Sequence, residues 1–292
     1  MTHSADLGRK PEWIKLKLPS GSMYTNVKKT LGSLELNTVC EEARCPNLSE
    51  CWGMGTATIM IMGSVCSRGC RFCSVNSGKP GLLDSREPEK VAIAISELGL
   101  RYVVITSVCR DDLVDGGADH FAETIRAIRV NCPNTILEAL IPDFQGNRDS
   151  LNKIVKARPQ VISHNIETVA RLSSKVRDFR ASYKQSLMVL QAINEFDPVI
   201  YTKSSLMLGL GETEQEVIET MKDLRSRKVS ILTIGQYLQP SMRHMPVTEY
   251  ITSEQFDWFA EEARQIGFSY VASGSMVRSS YKAGEFFLKQ SG

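Results

Sequence analysis

The sequence predicts an α/β protein built as a partial (β/α)6 TIM-like barrel with an extension at either end. Three observations predict it. From Thr58 onward, short β-rich runs alternate with longer amphipathic stretches, the signature of repeated βα units feeding one parallel sheet. The strand runs are nearly continuous in apolar residues, as in Tyr-Val-Val-Ile-Thr at 102–106, which demands burial on both faces and therefore helices on the sheet. Six βα units follow one another, the number expected of a barrel or a large part of one.

The first fifty-odd residues lack this alternation. Pro11, Pro19, Gly21, Gly32 and Pro46 interrupt them, and residues 1–55 read as an extension packed over the barrel. The first strand is expected at Thr58 to Met62, followed by a cysteine-rich loop and a helix over Pro88 to Leu98. Strands then fall at Tyr102 to Val108, Thr135 to Leu140, Val161 to His164, Val199 to Leu208 and Ile231 to Leu238. Helices between and after them are expected over Ala118 to Val130, Ser150 to Ala157, Tyr183 to Asn194, Thr213 to Arg227 and Ser253 to Ile266. Tyr270 to Ala272 is a short late strand closing the 56–273 barrel, and 274–292 forms a C-terminal extension. In such barrels the chemistry sits where strands end and βα loops begin.

Composition narrows the function. With 42% hydrophobic and 23% charged residues among 292, the chain can bury a full core. Lys plus Arg total 35 against 33 Asp plus Glu, so there is no strong positive field to hold a nucleic acid. Met1 to Lys10 contains no apolar signal region and no apolar run approaches bilayer length, so the expectation is a cytoplasmic protein, with an organelle matrix as the alternative, and no membrane partner. Six of the eight cysteines lie in two tight groups, which fits reduced thiolates serving a metal better than disulfides.

Directly after the first strand comes Cys66-Ser-Arg-Gly-Cys70-Arg-Phe-Cys73, three thiols within eight residues and no fourth ligand at matching spacing. A structural zinc site is normally closed by four ligands, whereas a 4Fe-4S cube on three thiolates keeps one iron open. A zinc knuckle is the alternative. Gly69 allows tight folding around a cube and Phe72 can shield it from water. Cys40-Glu-Glu-Ala-Arg-Cys45-Pro-Asn-Leu-Ser-Glu-Cys51 is a second triad without an evident local fourth ligand, which implies an auxiliary cluster.

The C-x3-C-x2-C spacing with an aromatic before the third cysteine, in the loop after the first strand, resembles the radical S-adenosylmethionine (SAM) superfamily. The C-x4-C-x5-C group ahead of it, with Arg278-Ser279-Ser280-Tyr281 near the far end, resembles the lipoyl synthase family within it. The resemblance extends from about Asn37 to Ala283 through Thr106-Ser-Val-Cys-Arg-Asp-Asp-Leu113, Leu137-Glu-Ala-Leu-Ile-Pro-Asp-Phe144, His164-Asn-Ile-Glu-Thr-Val169, Thr202 to Thr213 and Thr233 to Ser241. It implies a radical SAM-type partial barrel, two 4Fe-4S clusters and SAM as cofactors. The cluster ligands it implies are Cys66, Cys70 and Cys73 for one cluster, and Cys40, Cys45, Cys51 and Ser280 for the other, with Ser279 the alternative serine. The implied activity is sulfur insertion at carbons six and eight of an octanoyl group on a lysine of a lipoyl carrier domain, the auxiliary cluster being the sulfur source.

By their position at strand ends, Thr106 and Ser107 are expected near the SAM amino group, Asn165 and Glu167 near its ribose, and the Gly209 to Gly211 loop near its adenine or carboxylate. Gly209 and Gly211 also read as turn residues, and Glu167 as a helix-capping acid. Gln236, Tyr237 and Gln239 are placed toward the substrate. Arg177 and Arg180 with Lys175 read as a solvated basic face, with an acidic carrier as the alternative. Cys109 stands where this family segment more commonly has aspartate, and with Cys132 reads as a buried or semi-buried thiol.

Unactivated C–H bonds have no useful acidity, so the hard step must belong to a cofactor, in keeping with only four histidines and no hydrolase-type spacing. Implied partners are octanoylated carrier domains such as dehydrogenase-complex E2 subunits and the glycine-cleavage H protein, a ferredoxin- or flavodoxin-type electron donor, and iron-sulfur assembly proteins. The rival readings are a tRNA methylthiotransferase, which near-neutral charge disfavours, and an iron-sulfur or zinc module without catalysis.

Overall fold

In a computed structural model the described residues are 11, 22–43, 45–53, 56–281, 284 and 286. The stretch Met1 to Lys10, Pro19, Gly21 and Ala283 lie outside them. The elements run α1 (Ser22–Ser33), β1 (Asn37–Thr38), α2 (Val39–Glu42), α3 (Leu48–Gly53), β2 (Thr58–Ile61), β3 (Val65–Cys66), β4 (Asn76–Ser77), α4 (Glu87–Leu98), β5 (Tyr102–Ser107), α5 (Ala118–Asn131) and β6 (Ile136–Leu140). They continue α6 (Arg148–Lys156), β7 (Val161–Ser163), α7 (Ala170–Val176), α8 (Tyr183–Phe196), β8 (Tyr201–Leu208), α9 (Glu214–Ser226), β9 (Ile231–Gln236), α10 (Ser253–Ile266) and β10 (Tyr270–Gly274).

The main sheet has eight strands in the order β1-β2-β5-β6-β7-β8-β9-β10. All pairs are parallel except β1, which runs antiparallel along the free edge of β2 with Asn37 opposite Met60. The order is sequential, so each helix crosses directly to the neighbouring strand, as right-handed βα units require. The strands are buried almost end to end, β2 and β9 at every position, as their apolar runs demanded.

Capping chemistry sets where the helices begin and end. Thr213 and Thr252 each form a capping box, with Glu216 and Gln255 reaching back to the cap backbone, and Gly99 and Gly267 end α4 and α10 at φ 60° and 101°. One apolar cluster packs α4, α5 and α6 on the first strands, and a second packs α9 and α10 on the last ones. Within the sheet a polar network ties four adjacent strands. Lys203 of β8 donates to both carboxylate oxygens of Glu138 on β6 at 2.9 and 2.8 Å, and Glu138 also accepts from Tyr102 of β5 and Ser163 of β7.

The expected strands and helices are present within one to three residues of their predicted ends. The helices α1, α2, α3 and α7, the edge strand β1 and the small β3–β4 pair were not foreseen. The N-terminal extension therefore contains regular structure: Val27 and Leu31 of α1 are buried in the first apolar cluster, and Tyr24 stacks on Trp52 of α3 with ring centroids 5.3 Å apart. At the other end of the chain, Phe286 packs on Tyr201 and Tyr270, the first residues of β8 and β10.

Candidate functional site

At the C-terminal ends of the strands lies a cavity of about 560 Å³. Its wall includes all six clustered cysteines, namely Cys40, Cys45, Cys51, Cys66, Cys70 and Cys73, together with Ser279 and Ser280. Barrel geometry explains the convergence: every β-strand end in a parallel sheet faces the same mouth, and the two extensions close over it.

The loop carrying Cys66, Cys70 and Cys73 is held from beneath by Arg68, which is 5% exposed. Its guanidinium donates to Asp143 at 2.7 and 2.8 Å and to Asp111 at 2.7 and 2.9 Å, a paired fork that fixes both its plane and the loop. Burial alone would raise the carboxyl of Asp143, yet the hydrogen bonds from Arg68 hold it below the ordinary aspartate value. Asp178 accepts from the Gly69 amide at 2.9 Å, and its own amide lies 3.3 Å from Cys70 Sγ. Two more amides, of Arg68 and Cys109, lie 3.4 Å from Cys66 Sγ. Backbone donors of this kind stabilise sulfur that carries negative charge.

The environments of the sulfurs differ. A hydrogen bond from the Cys109 thiol lowers the pKa of Cys66, with amide donors and Arg68 assisting against burial. Burial pushes Cys73 up to about 12, and the neighbouring Cys70 and Cys66 add to it. In the Cys40, Cys45 and Cys51 triad, burial raises Cys40 to about 11 and Cys51 to about 12, and the neighbouring Cys40 and Cys45 add to the rise at Cys51. Among the described residues no three His, Cys, Asp or Glu side chains converge as ligands of one ion.

Segments of the two extensions meet beside the Cys40, Cys45 and Cys51 triad. Asn47 Nδ2 donates to Met276 O at 2.6 Å, and Tyr281 OH donates to Glu50 at 3.2 Å. Gly235 permits the approach: a Cβ there would lie 2.1 Å from Val277 O. Arg278 is folded back onto the carbonyls of Val277 and Ser275.

Thr106, Ser107, Asn165 and Glu167 all line the cavity. Ser107 Oγ and Asn165 Oδ1 are buried polar atoms with no hydrogen-bond partner in the protein. Such groups are costly unless something satisfies them, so they suit a polar small molecule in the cavity. Thr106 already donates to Leu140 O at 2.8 Å. Glu167 adopts φ 68°, and burial raises its carboxyl despite Arg177 and a hydrogen bond from Asn165. It lies in a β-bridge with Leu206 ahead of α7, so the helix-capping alternative does not describe it.

Gly209 and Gly211 are not among the cavity-lining residues. They carry φ of 99° and 98° in a turn whose amides at Gly209 and Leu210 donate to Glu212, and Gly209 O accepts from Thr248 and Glu249. The turn reading fits them. Gln236, Tyr237 and Gln239 line the cavity, but their polar groups are engaged by backbone: Gln236 by Leu208, Tyr237, Glu249 and Ile251, Tyr237 by Met245 and Gln239 by His244. Arg177 corrects the solvated basic face, because it is buried and donates to Ser186 Oγ at 2.8 Å. His164 shares that serine through Nε2 at 2.8 Å, and burial takes its pKa down to about 4.

Sequence reasoning missed the Arg68–Asp111–Asp143 clamp and the role of Asp178. An arginine placed between two ligand-spaced cysteines was the available signal.

The Radical SAM superfamily model matches residues 60–224, and the model of the N-terminal domain of lipoyl synthase of the Radical SAM family matches residues 2–45. The chain is 54% identical to the lipoyl synthase of Myxococcus xanthus, over 96% of this chain and 94% of that protein. It is 52% identical to the apicoplast lipoyl synthase of Plasmodium knowlesi over 96% of its own length, and spans 64% of that longer relative. Among solved structures it is similar in fold to methylornithine synthase, with TM-score 0.52, 12% identity, and coverage of 91% of this chain and 82% of that one.

Proposed function

Because the chain belongs to the radical SAM superfamily and, within it, to the lipoyl synthases, we propose that it inserts two sulfur atoms at carbons six and eight of an octanoyl group held on a lysine of a lipoyl carrier domain. Two cysteine triads facing one cavity support this reading more than any other single feature. Membership implies 4Fe-4S chemistry and SAM. When bound, those groups supply reductive cleavage of SAM and the sulfur itself.

The residues present fit that content. Cys66, Cys70 and Cys73 would hold the SAM-binding cluster, with amides of Arg68, Cys109 and Asp178 directed at their sulfurs. Cys40, Cys45 and Cys51 would hold the auxiliary one, with Ser280, or Ser279 in its place, brought to it by the ties at Asn47 and Glu50. The unpartnered Ser107 Oγ and Asn165 Oδ1 supply an acceptor and a hydroxyl for SAM, and Thr106 and Glu167 border the same space. Gly209 and Gly211 do not border that space, and Gly209 packs against the Gln236 amide beside it. The work of the protein is to orient the acyl chain between the triads and exclude water.

No helix among the described residues is long and apolar enough to cross a membrane. We place the reaction in the cytoplasm, supported by the unpaired cysteines, all eight of which are free. Partners in this reading are the octanoylated carrier, an electron donor and iron-sulfur assembly proteins.

The deciding experiment is anaerobic turnover of the reconstituted protein with SAM, a reductant and an octanoylated lysyl peptide, read by mass spectrometry. A product carrying two added sulfurs, with about two deoxyadenosines each, is expected. SAM cleavage without sulfur gain would refute the substrate assignment, and absence of cleavage would refute the activity.

A further inference from the structure

A chain that cleaves SAM reductively must receive electrons from outside, and the following rests on that proposed function. The loop bearing Cys66, Cys70 and Cys73 reaches the surface where two other segments touch it. The Arg71 amide donates to Val176 O, and Met245 N donates to Arg71 O. His244 Nε2 lies 3.0 Å from Cys73 O. The turn between α7 and α8 thus flanks the loop on one side and residues 241–245 on the other.

That rim has an unusual surface. Phe179 is 88% exposed and Met242 91% exposed, two large apolar side chains with no core to cover them. Arg180 lies over the Phe179 ring at 5.0 Å. Arg71, Lys175 and Arg243 are exposed and take part in no ion pair among the described residues, unlike Arg180, which is neutralised by Asp178 and Asp111. Exposed apolar side chains on segments that flank one loop and also carry three cations without a carboxylate partner are the pattern of a binding hot spot for an acidic partner. The connection to the site is short: Phe179 follows Asp178, whose amide touches Cys70 Sγ at 3.3 Å. A partner seated on Phe179 is one residue from a ligand sulfur, whereas the acyl chain must enter the cavity itself.

We infer that the rim formed by Phe179, Met242, Arg71, Lys175 and Arg243 is the docking surface for a small acidic redox protein that delivers electrons to the Cys66–Cys70–Cys73 side of the site. Each delivery moves one electron: the donor's redox group is oxidised by one, the chain's cluster is reduced by one, and no atom is transferred. Positive charge steers encounter and the aromatic supplies the contact.

The test uses the reconstituted full chain with a flavodoxin of negative net charge. Binding is measured by interferometry at several salt concentrations, and SAM cleavage is driven in parallel by the reduced flavodoxin or by dithionite. For Phe179→Ala, and for the double variant Lys175→Glu with Arg243→Glu, we expect at least a tenfold rise in Kd and a tenfold fall in flavodoxin-driven cleavage, with dithionite-driven cleavage within twofold of the parent. The salt dependence of binding should flatten in the double variant. Unchanged binding overturns the inference, as does an equal fall in both cleavage arms. Intact flavodoxin binding with impaired use of the octanoylated carrier under dithionite overturns it in favour of a carrier-docking face. If dithionite drives no cleavage by the parent chain, the proposed function fails, and the binding series still judges the surface by itself.

Discussion

Replacing Arg68 by alanine strips the cation from a site that holds two carboxylates. Asp143 is 1% exposed and receives two of the guanidinium's hydrogen bonds, at 2.7 and 2.8 Å; Asp111, at the rim, receives the rest. Removing one partner of a buried ion pair costs about 3–5 kcal/mol, since the remaining charge is left without compensation. Most of that belongs to Asp143, because Asp111 keeps Ser67 Oγ at 2.6 Å and Arg180 at 3.4 Å. The pH dependence gives a second handle. In the parent, Asp143 titrates below its unfolded value, so its stabilisation is present above that value and is lost as pH falls through the lower, folded one. In Arg68→Ala burial is opposed only by the weaker effects of the Gln145 amide and His164, so the carboxyl rises above its unfolded value and the penalty grows with pH instead. Urea unfolding of cluster-free parent and variant at pH 5 and pH 8 should show a stability gap of about 3–5 kcal/mol at pH 8 that narrows at pH 5. A gap below about 1 kcal/mol, or one that is equal at both pH values, would refute the idea that this clamp carries the loop.

Three further outcomes follow from the same geometry. Gly235→Ala places a Cβ 2.1 Å from Val277 O, so the 275–281 segment must shift; reconstituted variant should bind about half the iron and sulfide of the parent while its barrel unfolds within about 3 kcal/mol of it, and full iron content would count against the proposed tie. Gly209→Ala combines φ 99° with contacts of 2.2 Å to Gln236 Nε2 and 2.4 Å to Glu249 O, whereas Gly211→Ala has φ 98° and only ordinary contact with Thr248, so thermal melts should show the first variant destabilised well beyond the second, whose cost is about 1 kcal/mol. His164 is buried with a pKa near 4, below the unfolded value, so it favours folding above pH 6.5 and ceases to do so as pH falls toward 4; His164→Asn should flatten the stability profile in that window, and an unchanged profile would exclude the histidine as its source.

Some elements were legible because local chemistry alone decides them. Helix α10 begins and ends where predicted since Thr252 and Gln255 supply the start signal and Gly267 the stop, and β5 is marked by an apolar run that no surface segment would carry. Helix α7 escaped because it is seven residues long with no side-chain cap, and α1 because its sequence is polar and its burial depends on Trp52 across the extension. The cysteine triads were visible through spacing. The clamp that positions one of them was not, because Asp111 and Asp143 are 43 and 75 residues from Arg68 and become its partners only when β5 and β6 lie side by side. Arg177 was misread for a related reason: a charge cluster in sequence says nothing of the serine that α8 brings beneath it. Gln236 looked like a substrate contact by its place at a strand end, but four backbone groups already occupy its amide.

The bond between Asn47 and Met276 joins points 229 residues apart, across the entire sheet. During synthesis the Cys40–Cys51 segment leaves the ribosome before any barrel strand exists, and its tie is made after the last strand. The site therefore has an order of assembly: a nascent chain halted before Met276 can complete its sheet yet leaves one triad uncovered, open to whatever delivers iron and sulfide. Closure over that triad reports that synthesis has passed the last strand and reached Met276.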